Sequence, residues 1–239
     1  MQLKFNSKHY SFKPKFVPLL AFITALSLLL CLSGWQIKRL YWKTDLISQR
    51  VMSYELNPVN FLEIKDHENN EFRKIIIKGK LLNENEMYMP ALSKRGNNGF
   101  HILVPLKTDK AKFIIYNTGW VPLKMKEKSK RIENITNDVG TFEAIIRKSG
   151  RKGYFQPQND INSNTWFFVE PKLMSSYLGI NFQDKYYLEA FDNGPNGFPL
   201  GNQTRIYLRN NHLQYALTWF MIALGLIGVF FFANIKKIK

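Results

Sequence analysis

The sequence has 239 residues, a formal net charge of +16, one cysteine and 45% hydrophobic residues. This length allows one domain of ordinary size with additional segments. An aromatic content of 15% is too high for a disordered chain. A single cysteine excludes an intramolecular disulfide scaffold, a CxxC redox site and a zinc knuckle.

The positive charge is concentrated beside two apolar segments. Residues 1–43 contain seven basic and no acidic side chains, and three lysines follow residue 235. Charge placed in this way is typical of membrane topology and lipid headgroups, whereas a nucleic-acid interface needs basic and aromatic residues interleaved on one folded face. The one basic run that could suit nucleic acid, residues 124–131, is expected to be a solvated turn. We therefore predict a lipid bilayer as partner and no nucleic acid.

The two apolar segments, residues 16–35 and 213–235, contain no charged side chain. About 20 apolar residues cross a hydrocarbon core at about 1.5 Å per residue, so both segments are predicted transmembrane helices. The first is interpreted as an uncleaved anchor, because its apolar run is long for a signal peptide and the small-residue cleavage pattern is missing. Gly225 and Gly228 in the second segment, with Ala223 and Ala233 nearby, are expected to serve helix packing between the two segments.

The flanking lysines predict the topology. The positive-inside rule places residues 1–15 and 236–239 in the cytoplasm and residues 36–212 on the far side of the membrane. Lys38, Arg39 and Lys43 weaken this rule locally, because they follow the first segment directly. The short, arginine-free stretch before residue 16 is unlike a mitochondrial presequence. We therefore expect a bacterial inner-membrane protein with a periplasmic main domain.

Residues 36–212 are expected to fold as one β-rich domain. Residues 41–54 should continue the first helix, and a short helix is expected from Pro171 to Gly179. The predicted fold is a membrane protein with two transmembrane helices flanking an antiparallel, barrel-like β domain (α+β). Strand-like stretches separated by Gly, Asn and Pro occur at residues 72–77, 100–104, 112–117, 141–147, 165–169, 186–190 and 204–208.

The sequence contains no recognisable catalytic constellation. HExxH, GxSxG, P-loop and GxGxxG patterns are all missing. A copper carrier would need paired cysteines or a Met/His cluster, and Cys31 stands alone inside an apolar segment. The carboxylates are scattered, so we do not expect an enzyme.

Two motifs stand where the apolar segments meet the predicted periplasmic side. Each places three residues on one helical face: Trp35, Arg39 and Trp42 in the first, and His212, Tyr215 and Trp219 in the second. Two spans of opposite direction would bring the motifs to the same depth.

The side chains of these motifs suit a flat, amphiphilic, anionic ligand. A neutral imidazole can ligate haem iron, and arginine can pair with propionates. Two simpler interpretations remain open: Trp and Tyr collect at membrane interfaces whatever the function, and a single interfacial His often serves as a polar anchor.

Three stretches carry a resemblance to a known family. They are residues 34–43, residues 98–106 together with 117–122, and residues 210–220, the last of which is long and specific. With these motifs in order along the whole chain, the sequence resembles the Surfeit-locus family of cytochrome c oxidase assembly proteins, in its bacterial type. One departure is Thr118, where the family pattern usually has Arg before Gly-Trp-Val-Pro.

The resemblance implies an assembly factor for cytochrome c oxidase that assists haem a delivery or insertion into subunit I. Subunit I and the haem a synthesis machinery are the implied partners. His212 becomes the candidate ligand of haem a iron, with Arg39 and Tyr215 beside it. The partner-binding residues expected from the motifs are Trp35, Gln36, Trp42, Gly119, Trp120 and Trp219.

Other functions remain open on the sequence alone. The protein could be a haem-independent scaffold for the oxidase subunit, an accessory subunit of another membrane complex such as a transporter, or a membrane-anchored enzyme acting on haem or quinone. Trp120 could fill the β core instead of docking a partner.

Overall fold

The computed structural model describes residues 2–5, 8–135 and 139–237. The chain divides into two compact units: Met1–Ser48 with Leu208–Lys239, and Gln49–Tyr207. We call the first the helical unit and the second the β unit. The elements in chain order are β1 (Gln2–Phe5), β2 (Lys8–Phe12), α1 (Phe16–Glu55), β3 (Val59–Asn60), β4 (Lys74–Leu81), β5 (Met87–Leu92), β6 (Asn98–Thr108), β7 (Phe113–Pro122), β8 (Val139–Lys148), α2 (Pro171–Leu178), β9 (Tyr186–Ala190), α3 (His212–Asn234) and β10 (Ile235–Lys237).

The helical unit contains α3 and most of α1, and both helices are long and apolar enough to cross a membrane. α1 continues without a break through residues 41–54, as expected, and enters the β unit at Gln49. The helices contact each other where Ser33 donates a hydrogen bond to the Ala216 carbonyl over 3.0 Å, and where the Phe22 and Phe230 rings stack with centroids 4.0 Å apart. β1, β2 and β10 form a small antiparallel sheet in segments that the sequence analysis treated only as tails.

The expectation of small-residue packing is confirmed for Ala223, whereas neither Gly225 nor Gly228 contacts α1. A methyl group added at either position would meet nothing within 4 Å. The small residues that are buried are Ala216 and Ala223, one heptad apart on α3 and only 2% and 1% exposed. Burial at this spacing marks a single face of the helix.

The β unit is built on a seven-stranded sheet in the order β3-β4-β8-β9-β7-β6-β5, with β4 also paired to β6. The pairings of β4, β8, β9, β7 and β6 therefore form a ring. The expected antiparallel arrangement is wrong in two places, because β9 runs parallel to β7 and β3 runs parallel to β4. Strand directions cannot alternate all the way around a ring of five, so one parallel pair is unavoidable.

Alternation along the strands separates two hydrophobic clusters. On β7, Ile114 and Tyr116 belong to the first cluster and Ile115 to the second. Successive side chains of a strand point to opposite faces, and β7 is buried almost throughout because both faces are covered. The second cluster includes Met174 and its neighbours on α2, together with the fully buried Trp166.

Five of the seven expected strands are present, and two stretches are not strands. Residues 165–169 form only isolated bridges at Thr165, and no strand covers residues 204–208. The apolar side chains there pack instead of pairing, as the buried Ile206 shows. β5 and the short β3 were not expected. The predicted short helix is confirmed as α2, and Gly179 follows it with a φ of 66°.

The basic run at residues 124–131 is only partly a solvated turn. It folds into two short 3-10 turns. Arg131 at its end is 3% exposed and forms an ion pair with the buried Glu86. A charge pattern cannot reveal this burial, because the partner lies 45 residues earlier in the chain.

Candidate functional site

The first and third motifs meet inside the helical unit. Nδ1 of His212, the first residue of α3, lies 2.7 Å from the carboxamide oxygen of Gln36 on α1. A carboxamide oxygen only accepts hydrogen bonds, so this contact forms when Nδ1 carries the proton. Nε2 then keeps its lone pair, and no described residue forms a hydrogen bond with it. The sequence expectation that the two motifs are neighbours is therefore confirmed.

Gln36 is a buried residue of α1, although it lies in the helix that could span a membrane. Its expected role was partner binding, and its side chain contacts His212. A polar side chain in such a helix needs a partner, because an unpaired amide in an apolar environment is costly. Gln36 consequently fixes both the orientation and the tautomer of the imidazole.

A second contact lies one turn further along α1. The guanidinium carbon of Arg39 is 4.1 Å from the centre of the Trp42 ring, a cation–π geometry. Arg39 forms no ion pair with any residue that the structure describes. Its charge is thus held in place by an aromatic ring while its hydrogen-bond donors remain available for an anion.

Asn210 connects the start of the third motif to α1. Its side-chain amide donates to Thr44 Oγ1 over 3.1 Å and to the Leu40 carbonyl over 3.4 Å. These bonds tie the segment before α3 to α1. Asn210 therefore anchors the chain two residues before His212.

The aromatic residues of these motifs are largely accessible. Trp35, Trp42 and Tyr215 are each about half exposed, and Trp219 is half-buried. Tyr215 follows His212 by nearly one helical turn, so both side chains lie on the same side of α3. The helical unit therefore presents an imidazole and a guanidinium together with several accessible rings.

The second motif lies in the β unit, where other residues of the same chain pack against it. Gly119 has a φ of 125°, and an added methyl group would lie 2.4 Å from the Leu200 carbonyl oxygen. Trp120 is 4% exposed, exchanges two backbone hydrogen bonds with Leu200 and donates from its indole to the Ala91 carbonyl. The expected positive φ of Gly119 is confirmed, and Trp120 belongs to the packed interior.

Thr118, where the family pattern usually has Arg, has a structural role. It is 5% exposed, and its hydroxyl donates to the Ile102 carbonyl on β6 over 3.1 Å. Because this hydrogen bond gives the hydroxyl a partner, Thr118 can be buried at this position without an unpaired polar group.

A buried polar cluster in the β unit was missed by the sequence analysis. The Glu189 carboxylate accepts hydrogen bonds from the hydroxyls of Tyr187 and Thr204. It also accepts one from the Arg147 guanidinium over 3.1 Å. Burial opposes ionisation of this group, but Arg147 and the hydrogen bonds prevail, so the pKa of Glu189 is lowered. No motif marks the cluster, because its members come from different strands and a loop.

His101 on β6 lies close to this cluster. The side-chain amide of Asn117 is 3.2 Å from its Nδ1, across the β6–β7 ladder. Burial lowers the pKa of His101, although Glu189 and Asn117 act in the opposite direction. The imidazole is therefore neutral at physiological pH and belongs to the interior.

Residues 23–224 match the SURF1 family. Surfeit locus protein 1 of Gallus gallus is 27% identical over 240 residues, which cover 93% of this chain and 74% of that protein. The protein of the same name from Takifugu rubripes is 27% identical over 226 residues, with 87% and 93% coverage. A SURF1-like protein of Rickettsia felis is 28% identical over 217 residues, with 88% and 94% coverage.

The family match includes Gln36, Arg39, His212 and Tyr215, the residues that carry the contacts and exposed side chains of the helical unit. It also includes the strands of the β unit. The resemblance given by the three motifs is confirmed, and the chain belongs to the SURF1 family.

Proposed function

We propose that this protein is an assembly factor for cytochrome c oxidase that assists haem a delivery or insertion into subunit I. Family membership and the hydrogen bond between His212 and Gln36 support this function. The observation that carries the proposal is the His212 imidazole, with Nδ1 engaged and Nε2 free. The role is that of an assembly factor that holds and transfers a group, not of an enzyme.

The residues of the helical unit fit a haem. The neutral Nε2 of His212 is the atom that would ligate iron, and a hydrogen bond from the other ring nitrogen is the usual support of such a ligand. When bound, haem a supplies the redox-active iron that subunit I needs. Gln36 directs the proton of the neutral tautomer to Nδ1, so that Nε2 faces the ligand, and it holds the plane of the ring.

Arg39 and Tyr215 would complete the contact with the macrocycle. Arginine matches a propionate carboxylate through its planar fork of donors, and stacking on Trp42 limits the movement of that fork. The accessible Tyr215 ring offers an apolar face and a hydroxyl. Half-exposed Trp35 and Trp42 remain the candidates for contact with subunit I or lipid.

The proposed location is a bacterial inner membrane. α1 and α3 would cross the bilayer, both termini would face the cytoplasm, and the β unit would face the periplasm. The apolar lengths of the two helices and the lysines at residues 236, 237 and 239 support this topology. The ring of five paired strands supports a barrel-like β unit.

The test compares a-type haem absorbance per subunit I in membranes from strains with and without the protein. We expect the ratio to fall in the deletion strain and to recover with the wild-type protein. His212→Ala should fail to restore it, whereas Leu213→Ala, an exposed neighbour on the same helix, should restore it. An unchanged ratio with normal oxidase turnover in the deletion strain would refute the haem step.

The role of Gln36 is tested on the purified protein by titration with haem. Gln36→Leu removes the acceptor and should weaken haem binding by about 10-fold or more, whereas Gln36→Glu keeps an acceptor and should bind nearly as well as the wild type. If Gln36→Leu and the wild type bind equally, Gln36 does not position the ligand.

A haem-independent scaffold gives a different result in these strains. The His212→Ala protein would then bind no haem in vitro and still restore full oxidase assembly. An accessory subunit of another complex would co-purify with that complex rather than with subunit I.

A further inference from the structure

A cavity of about 350 Å³ opens in the β unit, whereas His212 belongs to the helical unit. It lies where β7, β8 and the segment after β9 meet. Its polar side chains include two carboxylates, Glu143 and Asp192, and the phenol of Tyr116. Phe142 and Pro195 add apolar surface.

Neither carboxylate is paired directly with a basic side chain that the structure describes. Within the described part of the chain, Glu143 and Asp192 form no ion pair and accept no side-chain hydrogen bond. Partial burial and the neighbouring Asp192 raise the pKa of Glu143, and Lys74 opposes them only in part. The Lys74 ammonium lies over the rings of Tyr54 and Phe191, at 5.5 and 5.4 Å from their centres.

Tyr116 gives independent evidence of a vacant partner position. It is 3% exposed and lines the cavity, yet its hydroxyl forms no hydrogen bond with any described residue. Burial and the Asp192 carboxylate raise its pKa, so the phenol stays protonated and acts as a neutral hydrogen-bonding group. The hydroxyl is not one of the fully enclosed unpaired atoms of the described chain, so it remains accessible from the cavity and can bond a ligand there.

The aromatic rings give the cavity a second feature suited to a cation. The Tyr116 and Phe142 rings are 5.6 Å apart and inclined by 50°. The faces of such rings attract ammonium and guanidinium groups. The cavity is larger than a bare metal ion needs, and the described residues contain no group of three or more possible metal ligands.

We infer that this cavity is a binding site for an alkylammonium or alkylguanidinium group, held between the Glu143 and Asp192 carboxylates, the Tyr116 hydroxyl and the Phe142 ring. The group can belong to a lysine or arginine side chain of a partner polypeptide or to a free organic cation. This site does not depend on the proposed function, and its failure would leave the experiments on His212 unaffected.

The test is an NMR titration of the full-length protein in detergent, followed at the amides of Glu143 and Asp192. The probes are butylguanidinium, butylammonium and butylurea, the last being an uncharged analogue of the first. We expect saturable shifts with both cations and none with butylurea. Glu143→Gln and Asp192→Asn should each weaken cation binding about tenfold.

Two further variants separate the site from general effects. Tyr116→Phe keeps the ring and removes the hydroxyl, so it should weaken binding severalfold. Glu63→Gln neutralises an exposed carboxylate outside the cavity and should leave binding unchanged. Circular dichroism verifies that each variant is folded. Equal binding of butylurea, equal effects of Glu143→Gln and Glu63→Gln, or the lack of any saturable shift would overturn the inference.

A peptide titration distinguishes the two sources of the cation. A blocked pentapeptide with a central arginine is compared with the same peptide containing citrulline. Binding of the arginine peptide, without binding of the citrulline peptide, identifies a polypeptide side chain as the ligand. Binding of butylguanidinium without the peptide identifies a free cation.

Discussion

The ion pair between Arg131 and Glu86 gives a sharp test of how the β unit is stabilised. Both side chains are almost fully buried, at 2% and 5% exposure. Arg131 also donates through Nε to the Met125 carbonyl over 3.1 Å, and the Tyr88 hydroxyl donates to Glu86 over 3.2 Å. The perturbation is Arg131→Met, which keeps a long apolar side chain and removes the charge.

The expected loss is large because the change leaves the Glu86 carboxylate buried without its counter-ion. Breaking a buried pair from one side costs about 3–5 kcal/mol. A nearby pair serves as control: Lys128 and Glu84 are 2.6 Å apart, but Glu84 is 88% exposed. Lys128→Met should cost about 1 kcal/mol or less. The double change Arg131→Met with Glu86→Gln should recover part of the loss, since no unpaired charge remains.

The assay is urea unfolding of the full-length protein in detergent, followed by tryptophan fluorescence. Trp166 is fully buried and Trp120 nearly so, and both report on the β unit. Equal midpoints for Arg131→Met and Lys128→Met would refute the reasoning. A double variant less stable than Arg131→Met would also contradict it.

Three other perturbations have defined outcomes. Gly119→Ala should lower the melting temperature more than Gly96→Ala. Both glycines have positive φ, but only at Gly119 would the new methyl group lie 2.4 Å from the Leu200 carbonyl oxygen. Equal shifts in melting temperature would exclude this close contact as the cause. The lowered pKa of His101 means that the unfolded chain binds more protons here, so stability is lost as pH falls below about 6.5 toward the folded pKa. His101→Gln should flatten this part of a urea-midpoint profile against pH, and an unchanged slope would contradict the assignment. Ala223→Leu overfills a position that is 1% exposed on α3 and should cost about 1–3 kcal/mol; thermal unfolding without a loss would mean that this face of α3 accepts larger side chains.

The candidate site was partly visible in the sequence because helical periodicity is local. Spacings of three, four and seven residues placed Arg39 with Trp42, and the structure shows their cation–π contact. The motifs also indicated His212. The bond from His212 to Gln36 joins residues 176 positions apart, and no local rule predicts which side chain of α1 faces the imidazole.

The sequence alone determined the elements whose signals lie within a few residues. Long runs without charge predicted two apolar helices, since an apolar helix needs no distant partner to satisfy its backbone. Proline at the start and glycine after the end located α2, and β9 was predicted at residues 186–190 with the bounds that the structure shows. The three motifs were sufficient to indicate the family.

Only the tertiary structure decided which strands are neighbours and which polar groups are buried. β9 lies between β8 and β7, and the resulting parallel pair follows from closing a ring of five strands, a property of the whole sheet. The Arg131–Glu86 pair and the Glu189 cluster, like the cavity at Glu143, unite residues from separate strands and loops. Burial and charge pairing depend on contacts between residues that are far apart in the sequence, and no local sequence pattern specifies which of these residues meet.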